Sequence, residues 1–247
     1  MNWLDFLGEP TAFLALGFVI GMAHALEADH LAAVATFANE GDGRARLIAR
    51  GALWGLGHTT ALFVICSVVV LAGLTISGRV EATMEGAVGV MIIALGLRVL
   101  WKMRRDRIHV HVHTHGNKKH IHLHSHAGEA APHGAHEHSH RHRARAMVFG
   151  VGLLHGAAGS AGLLVLAVAA ADTVTQALGY FALFGLGSLA GMAVLSAVAS
   201  YPLGVIGRGA GWMQTATGVA IAALALWVGG SLVVHSFPAI LSPALWP

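Results

Sequence analysis

Long apolar segments without charged residues dominate this chain, and they limit its fold more than any other feature. Hydrophobic residues make up 55% of the 247 positions and charged residues only 11%, whereas a soluble domain usually carries about a quarter charged residues. Several segments reach the roughly 20 residues that a helix needs to cross a bilayer. Backbone polar groups inside lipid must pair within the protein, which favours helices. The sequence therefore predicts an all-α polytopic protein embedded in the lipid bilayer.

Hydropathy and chain breakers predict six transmembrane helices, with boundaries accurate to about four residues. The predicted spans lie near 11–38, 51–76, 84–101, 146–171, 174–199 and 212–235. A long segment without such an apolar run separates the third span from the fourth. We therefore divide the chain into a first three-helix unit (1–101), a central loop (102–145) and a second three-helix unit (146–247).

The basic residues predict the orientation of these helices. Fourteen of the fifteen Lys and Arg residues fall on one side of the predicted membrane, and only Arg79 falls on the other. Basic residues collect on the cytoplasmic side of membrane proteins. We therefore expect a protein of a bacterial-type inner (plasma) membrane, with the central loop in the cytoplasm and both termini outside.

The two halves of the chain resemble each other at a nearly constant offset. Residues 21–25 (GMAHA) resemble residues 152–156 (GLLHG) at an offset of 131, and residues 53–58 (LWGLGH) resemble residues 183–188 (LFGLGS) at an offset of 130. Three spans per half insert the second copy upside down. Inverted repeats are typical of secondary transporters, whose substrate site lies between the repeats near the middle of the membrane. We predict two inverted three-helix repeats.

Ionisable residues interrupt the first predicted span. His24, Glu27, Asp29 and His30 lie between apolar stretches, and an acid at the bilayer centre costs roughly 2.5–3.5 kcal/mol. Two acids there require a cation, a proton or a histidine to compensate them. On a regular helix Asp29 lies about 140° from His24. Binding of one ion by His24, Asp29 and His30 therefore requires a local break, unless Asp29 orients a histidine from outside the ligand shell.

Two more histidines lie deep in predicted spans, and with the first group they form a candidate metal site. Imidazole and carboxylate together suit Ni²⁺, Co²⁺ and Zn²⁺. The repeat makes the site asymmetric, since Ser188 stands where the first half has His58, and Ser160 stands where it has Asp29. These serines are candidate oxygen donors, and Glu27 is a candidate ligand, proton carrier or counter-charge. The predicted metal ligands are His24, Glu27, Asp29, His30, His58 and His155.

The segment His24-Ala25-Leu26-Glu27-Ala28-Asp29-His30 matches the H-x4-D-H signature of the nickel/cobalt transporter (NiCoT) family. The surrounding GMAHALEADHLAAVAT and the later GLGHTT also resemble that family's first two motif regions. This resemblance implies that His24, Asp29 and His30 select the metal and that His58 lies nearby. Six spans and the LLHGAAGSAGLLVL segment are more similar to shorter relatives in the wider NicO superfamily. Those relatives include urease-accessory-type membrane proteins and nickel/cobalt efflux proteins, so the direction of transport and the metal stay open.

Histidines fill the central loop. Between residues 109 and 142, thirteen of 34 positions are histidine. This polar, basic composition predicts a segment that is disordered without metal, and neutral imidazoles predict chelation of several borderline ions. The alternative is a solvated basic linker or a pH-responsive patch. Twelve of these candidate chelators form three runs at alternate positions: His109, His111, His113, His115, His120, His122, His124, His126, His136, His138, His140 and His142.

Together these features predict a secondary, ATP-independent transporter of Ni²⁺ or Co²⁺, with uptake favoured over efflux and Zn²⁺ as a third ion that the ligands accept. The sequence contains no G-x-x-x-x-G-K-[ST] phosphate loop. We expect no enzyme activity, no tightly bound cofactor and no nucleic-acid binding, and we expect nickel-enzyme maturation proteins as candidate partners. The alternatives are a membrane accessory protein or metallochaperone that delivers nickel, for example to urease, a zinc transporter of another fold, and a His-box membrane metalloenzyme.

Overall fold

The computed structural model describes residues 10–38, 44–105, 110–115, 118–123, 137–158, 171–206 and 211–241. Within these ranges the chain forms seven α-helices and one two-stranded hairpin. In chain order the elements are α1 (Pro10–His24), α2 (Ala28–Ala38), α3 (Arg44–Ala72), α4 (Gly78–Arg105), β1 (Val110–His115), β2 (Lys118–Leu123), α5 (Glu137–Ala158), α6 (Val174–Ile206) and α7 (Gly211–Leu241).

Apolar helices that are long enough to cross a bilayer make up most of the described chain. The helices α3, α4, α6 and α7 each meet that requirement, and α1 with α2 supplies a fifth span when the bent pair is counted as one. The helix α5 has a shorter apolar stretch, from Arg145 to Ala158. The rest of the span predicted near 146–171 lies mostly outside the described residues. The prediction of a polytopic helical membrane protein is therefore confirmed, with four or five spans in the described part of the chain against six predicted.

Most helices extend beyond the apolar segments that predicted them. The helix α5 begins at Glu137 rather than near 146, because residues 137–145 contain no glycine or proline and the helix continues into charged sequence. The helix α3 ends at Ala72 rather than near 76. Gly73 there adopts φ of 62°, and Leu74 N–H donates to the Val69 carbonyl at 2.9 Å. This is the hydrogen bond of a glycine C-cap, which stops the helix.

A hairpin lies within the histidine-rich loop. Strand β1 pairs antiparallel with β2, so that His111 is opposite His122 and His113 is opposite His120. The first turns of α5 hold three more of the loop histidines, at 138, 140 and 142. The predicted chelators His109, His124, His126 and His136 lie outside the described residues. Disorder of the loop without metal stays a prediction.

The helices pack in pairs that join the two halves. The helix α1 lies against α6, α3 lies against both α5 and α6, and α4 lies against α7. In the predicted repeat α1 corresponds to α5, and α3 corresponds to α6. The α1–α6 and α3–α5 contacts are therefore equivalent to each other, as two related copies require. This packing brings α1, α2, α3 and α5 around one point.

Close approaches at glycine repeat in the same reciprocal way. A Cβ on Gly21 would overlap the backbone oxygen of Phe184, and a Cβ on Gly152 would overlap that of Trp54. Both partners in each contact are shifted by 130 or 131 residues, which is the offset of the sequence repeat. Small residues let helix backbones approach closely in membrane proteins. The same reciprocity holds for Gly57 against Phe149 and Gly187 against Phe18.

Candidate metal centre

The first predicted span breaks at its ionisable residues. The helix α1 ends at His24, residues 25–27 form a turn, and α2 begins at Ala28. The two helices are bent by 55° relative to each other. In the turn, Glu27 N–H donates to the His24 carbonyl at 3.1 Å, so the backbone bonds to the third preceding residue instead of the fourth. A break here was the predicted condition for bringing Asp29 and His30 towards His24.

Four buried histidines meet at this break. His24 and His30 come from its two sides, His58 from α3 and His155 from α5, and each is at most 6% exposed. The ring centroid of His30 lies 4.6 Å from that of His24, 5.1 Å from that of His58 and 4.2 Å from that of His155. His30 therefore lies at the centre of the cluster. All four histidines predicted to be metal ligands come together.

Two carboxylates contact three of these four rings. Glu27 Oε1 lies 2.7 Å from His24 Nδ1. Asp29 Oδ1 lies 2.9 Å from His30 Nδ1, and Asp29 Oδ2 lies 2.9 Å from His155 Nε2. Because an ionised carboxylate accepts hydrogen bonds and cannot donate them, we assign a proton to each of these ring nitrogens. The other nitrogen of each neutral ring then carries a lone pair that is free to bind a cation.

The nitrogens that carry those lone pairs are buried. No hydrogen-bond partner among the described residues lies near His24 Nε2, His30 Nε2 or His155 Nδ1. Both ring nitrogens of His58 also lack a partner among these residues. An unsatisfied buried polar atom costs about 1–3 kcal/mol, so several at one point indicate a place for a ligand. Donor atoms of His24, His30 and His58 lie within 4.8 Å of one another. Three imidazoles at that spacing are suited to a borderline divalent ion.

A second group of donors shares His30. Donor atoms of Asp29, His30 and His155 also lie within 4.8 Å of one another. Asp29 additionally accepts a hydrogen bond from the His30 backbone N–H at 2.8 Å. It lies in the first turn of α2, where the partial positive charge of a helix N-terminus favours an anion. Its side chain is 21% exposed and that of Glu27 is 56% exposed, so Glu27 lies at the rim of the centre.

Two aromatic residues that no sequence pattern singled out line the histidine cluster. Trp54 is fully buried, and its ring centroid lies 5.3 Å from that of His30 and 5.4 Å from that of His155. The Phe184 ring lies 5.4 Å from the His24 ring. Trp54 precedes His58 by four residues and therefore shares its helix face. That spacing, together with the LWGLGH and LFGLGS repeat in which both aromatics occur, is the signal that could have identified them.

The two predicted serine donors differ in what the structure describes. Ser188 is fully buried, and its Oγ has no hydrogen-bond partner among the described residues. It lies one turn after Phe184, which contacts His24. Ser160 lies outside the described residues. The remaining predicted ligand, Glu27, contacts His24 Nδ1. It does not contact His24 Nε2, the nitrogen of that ring that has no partner among the described residues.

Fold and centre together define a class of protein: an integral membrane protein with a buried histidine–carboxylate centre at a broken helix. The chain belongs to the NicO family, described as high-affinity nickel-transport protein, which it matches over residues 11–206. It is also similar to the urease accessory protein UreH of Bacillus sp. (strain TB-90), with 27% identity over 208 residues that cover 84% of this chain and 83% of that protein. No solved structure matches it. The resemblance inferred from the H-x4-D-H segment is confirmed.

Proposed function

We propose that this protein is a secondary carrier that moves Ni²⁺ across a bacterial-type inner membrane and that it binds the ion on the imidazoles of His24, His30 and His58. One observation carries this proposal. Each of these buried rings has a nitrogen without a partner among the described residues, and the donor atoms of the three residues lie within 4.8 Å of one another. The NicO family match supports Ni²⁺ as the cargo.

Two carboxylates act as positioning residues for these ligands. Glu27 holds His24 at 2.7 Å and Asp29 holds His30 at 2.9 Å, each through the ring nitrogen opposite the proposed metal-binding one. Such carboxylate–histidine pairs fix the tautomer and orientation of a metal ligand, and their loss typically lowers metal affinity about 10–100-fold. Two negative charges also balance the two positive charges of a divalent ion, which lowers the cost of holding it inside the membrane.

The ligand types favour particular ions. Mg²⁺ and Ca²⁺ prefer oxygen ligands, whereas neutral imidazoles suit Ni²⁺, Co²⁺ and Zn²⁺. Three protein ligands leave coordination positions for water, as in metal sites that exchange their ligands. A carrier must release its ion, so an incomplete shell serves transport better than a closed structural site. We propose Co²⁺ as the second cargo and Zn²⁺ as the third.

The architecture supports a carrier rather than a static binding protein. The site lies where α1, α2 and α3 of the first half meet α5 of the second, and the contacts α1–α6 and α3–α5 are equivalent in the two halves. Inverted repeats permit alternating access, in which one half rocks against the other around the site. We propose uptake over efflux from the H-x4-D-H segment, with the histidine-rich loop in the cytoplasm.

Nickel delivery without transport is the second candidate function. The similarity to a urease accessory protein supports it, as does a loop in which thirteen of 34 residues are histidine. A delivery protein of this kind binds nickel and passes it to a maturation protein, whereas a carrier changes the amount of nickel inside a sealed compartment. The two candidates therefore differ in one observable quantity.

Flux into sealed proteoliposomes tests the carrier. We expect saturable entry of Ni²⁺ and Co²⁺, weaker entry of Zn²⁺ and no entry of Mg²⁺ in vesicles that contain the full-length protein. Protein-free vesicles and vesicles with His58→Ala provide the two baselines, and His235→Ala provides the matched control because His235 is an exposed histidine on α7. Metal bound by the wild type with no entry would discard the carrier and favour nickel delivery.

A further inference from the structure

We propose that the centre holds the ion in two successive positions that share His30. In the first position the ligands are His24, His30 and His58, and in the second they are Asp29, His30 and His155. This inference rests on the proposed carrier function. It assigns Asp29 and His155 a part in ion transfer besides their contact with each other.

The donor atoms fall into two groups with one common member. The donor atoms of each group lie within 4.8 Å of one another, and His30 belongs to both groups. The His30 Nδ1 atom lies 2.9 Å from Asp29, so its Nε2 atom is on the other side of the ring and is buried without a partner among the described residues. We assign His30 Nε2 to the first position and His30 Nδ1 to the second, so that the two nitrogens of one imidazole serve neighbouring positions. The His58 and His155 rings are 5.9 Å apart, farther than any distance from His30 to another ring of the cluster.

Asp29 already lies close to both histidine donors of the second position. Asp29 Oδ1 to His30 Nδ1 and Asp29 Oδ2 to His155 Nε2 are both 2.9 Å. Two ligands at right angles on an ion with bonds near 2.1 Å lie about 3 Å apart. The three donors lie within 4.8 Å of one another, and ligands on such an ion lie at most about 4.2 Å apart, so an ion that enters this position draws the donors together and turns their lone pairs towards it.

The proton count balances within the imidazoles. When the ion binds His30 Nδ1 and His155 Nε2, the protons of those atoms move to His30 Nε2 and His155 Nδ1. The first of these atoms has just released the ion, and the second is buried without a partner among the described residues. Asp29 exchanges two hydrogen bonds for a bond to the ion and stays ionised. Each ring keeps one proton, so the transfer takes up and releases no net proton, and water that hydrates the ion relays each proton between the two nitrogens of a ring.

The two positions belong to different parts of the repeat. All three ligands of the first position lie in the first half of the chain, whereas His155 lies on α5 in the second half. Transfer around His30 therefore replaces a ligand set from the first half alone with one that both halves supply. A carrier in which the halves move against each other uses such a transfer to release its cargo on the other side.

The test uses purified full-length protein whose loop histidines (109–142) are changed to asparagine in every variant, so that Co²⁺ reports the buried centre and its absorption spectrum reports the ligand set. We expect His58→Ala to bind Co²⁺ at the second position, with X-ray absorption that shows carboxylate oxygen in the shell. We expect His155→Gln to keep the wild-type Co²⁺ spectrum, since its amide N–H still donates to Asp29. Co²⁺ flux in proteoliposomes should nevertheless fall by about tenfold or more in His155→Gln. His235→Ala provides the matched control for both measurements.

Three results would overturn the second position. The first is His155→Gln with wild-type flux, because a residue that merely positions Asp29 is rescued by the amide donor. The second is His58→Ala without any Co²⁺ binding in protein that keeps its helical circular dichroism and elution volume. The third is His58→Ala with a shell that lacks a carboxylate. Absence of flux in the wild type is a different outcome, because it refutes the carrier itself.

Discussion

Replacing Asp29 with asparagine tests how the centre holds its histidines. Asp29 accepts hydrogen bonds from the His30 backbone N–H at 2.8 Å, from His30 Nδ1 at 2.9 Å and from His155 Nε2 at 2.9 Å. Asparagine keeps the shape but has one accepting oxygen. If that oxygen stays with the two His30 donors, the amide N–H₂ faces the proton of His155 Nε2. One charge-assisted hydrogen bond is lost and two donors oppose each other.

The expected loss follows from that geometry. The neutral amide also holds the His30 Nδ1–H less strongly in the ion-bound state and no longer offsets the charge of the ion. A hydrogen bond to a charged group contributes about 1.5–3 kcal/mol, so we take about 2 kcal/mol for this loss from the bound state. Since 1.4 kcal/mol corresponds to a tenfold change, the dissociation constant for Ni²⁺ should rise about 30-fold. That value falls within the 10–100-fold range typical of residues that position metal ligands.

Isothermal titration of Ni²⁺ into detergent-purified full-length protein, with the loop histidines (109–142) changed to asparagine in every variant, measures this change at the centre. The control is Asp172→Asn, since Asp172 is an exposed carboxylate just before α6, and it should leave the dissociation constant unchanged. Wild-type affinity in Asp29→Asn would refute the positioning role. Complete loss of binding would instead make Asp29 an indispensable direct ligand of the ion.

Three further predictions concern packing and the loop. Gly152→Ala should lower the midpoint temperature of thermal unfolding, because the added Cβ overlaps the Trp54 backbone and overpacking costs about 1–3 kcal/mol. The control Gly150→Ala, where the Cβ meets open space, should not lower it. Equal midpoints for the two variants would contradict the close approach at Gly152. Thr59→Val removes the 2.8 Å hydrogen bond that Thr59 Oγ1 donates to the Gly185 carbonyl. We expect the free energy of unfolding, measured by denaturant titration, to fall by about 1 kcal/mol. An unchanged free energy of unfolding would contradict a role for this hydrogen bond in stability. Deletion of 109–142 should alter apparent affinity but leave flux measurable, and complete loss of flux in protein that still inserts would refute a role outside the transport path.

The location of the centre could be predicted from the sequence for a physical reason. Histidine and acid residues inside apolar segments are costly unless they have a function or a partner, and this singled out the residues that meet at the break. The assignment of ring nitrogens could not be predicted, since it depends on which oxygen lies beside which ring. The positions of Trp54 and Phe184 beside the histidines could not be predicted, because aromatic residues are common in apolar helices and usually serve only in packing.

The break itself shows what local sequence leaves out. Residues 25–28 are Ala-Leu-Glu-Ala and contain neither glycine nor proline, so local preference alone predicts a continuous helix. The break was expected solely as a condition for one ion to reach both His24 and Asp29. Helix ends were predicted less well, because hydropathy measures apolar length while a helix continues as far as its backbone hydrogen bonds do. The helix α5 begins at Glu137 for that reason.

The central claim is that the protein carries nickel through a centre built around His30. The most direct measurement is Ni²⁺ flux into sealed proteoliposomes that contain the wild type, His30→Ala or the matched control His235→Ala. We predict saturable flux for the wild type and the control and none for His30→Ala. Ni²⁺ that binds but does not enter in the wild type, as in the variant, would contradict the account and leave a membrane protein that binds metal without moving it.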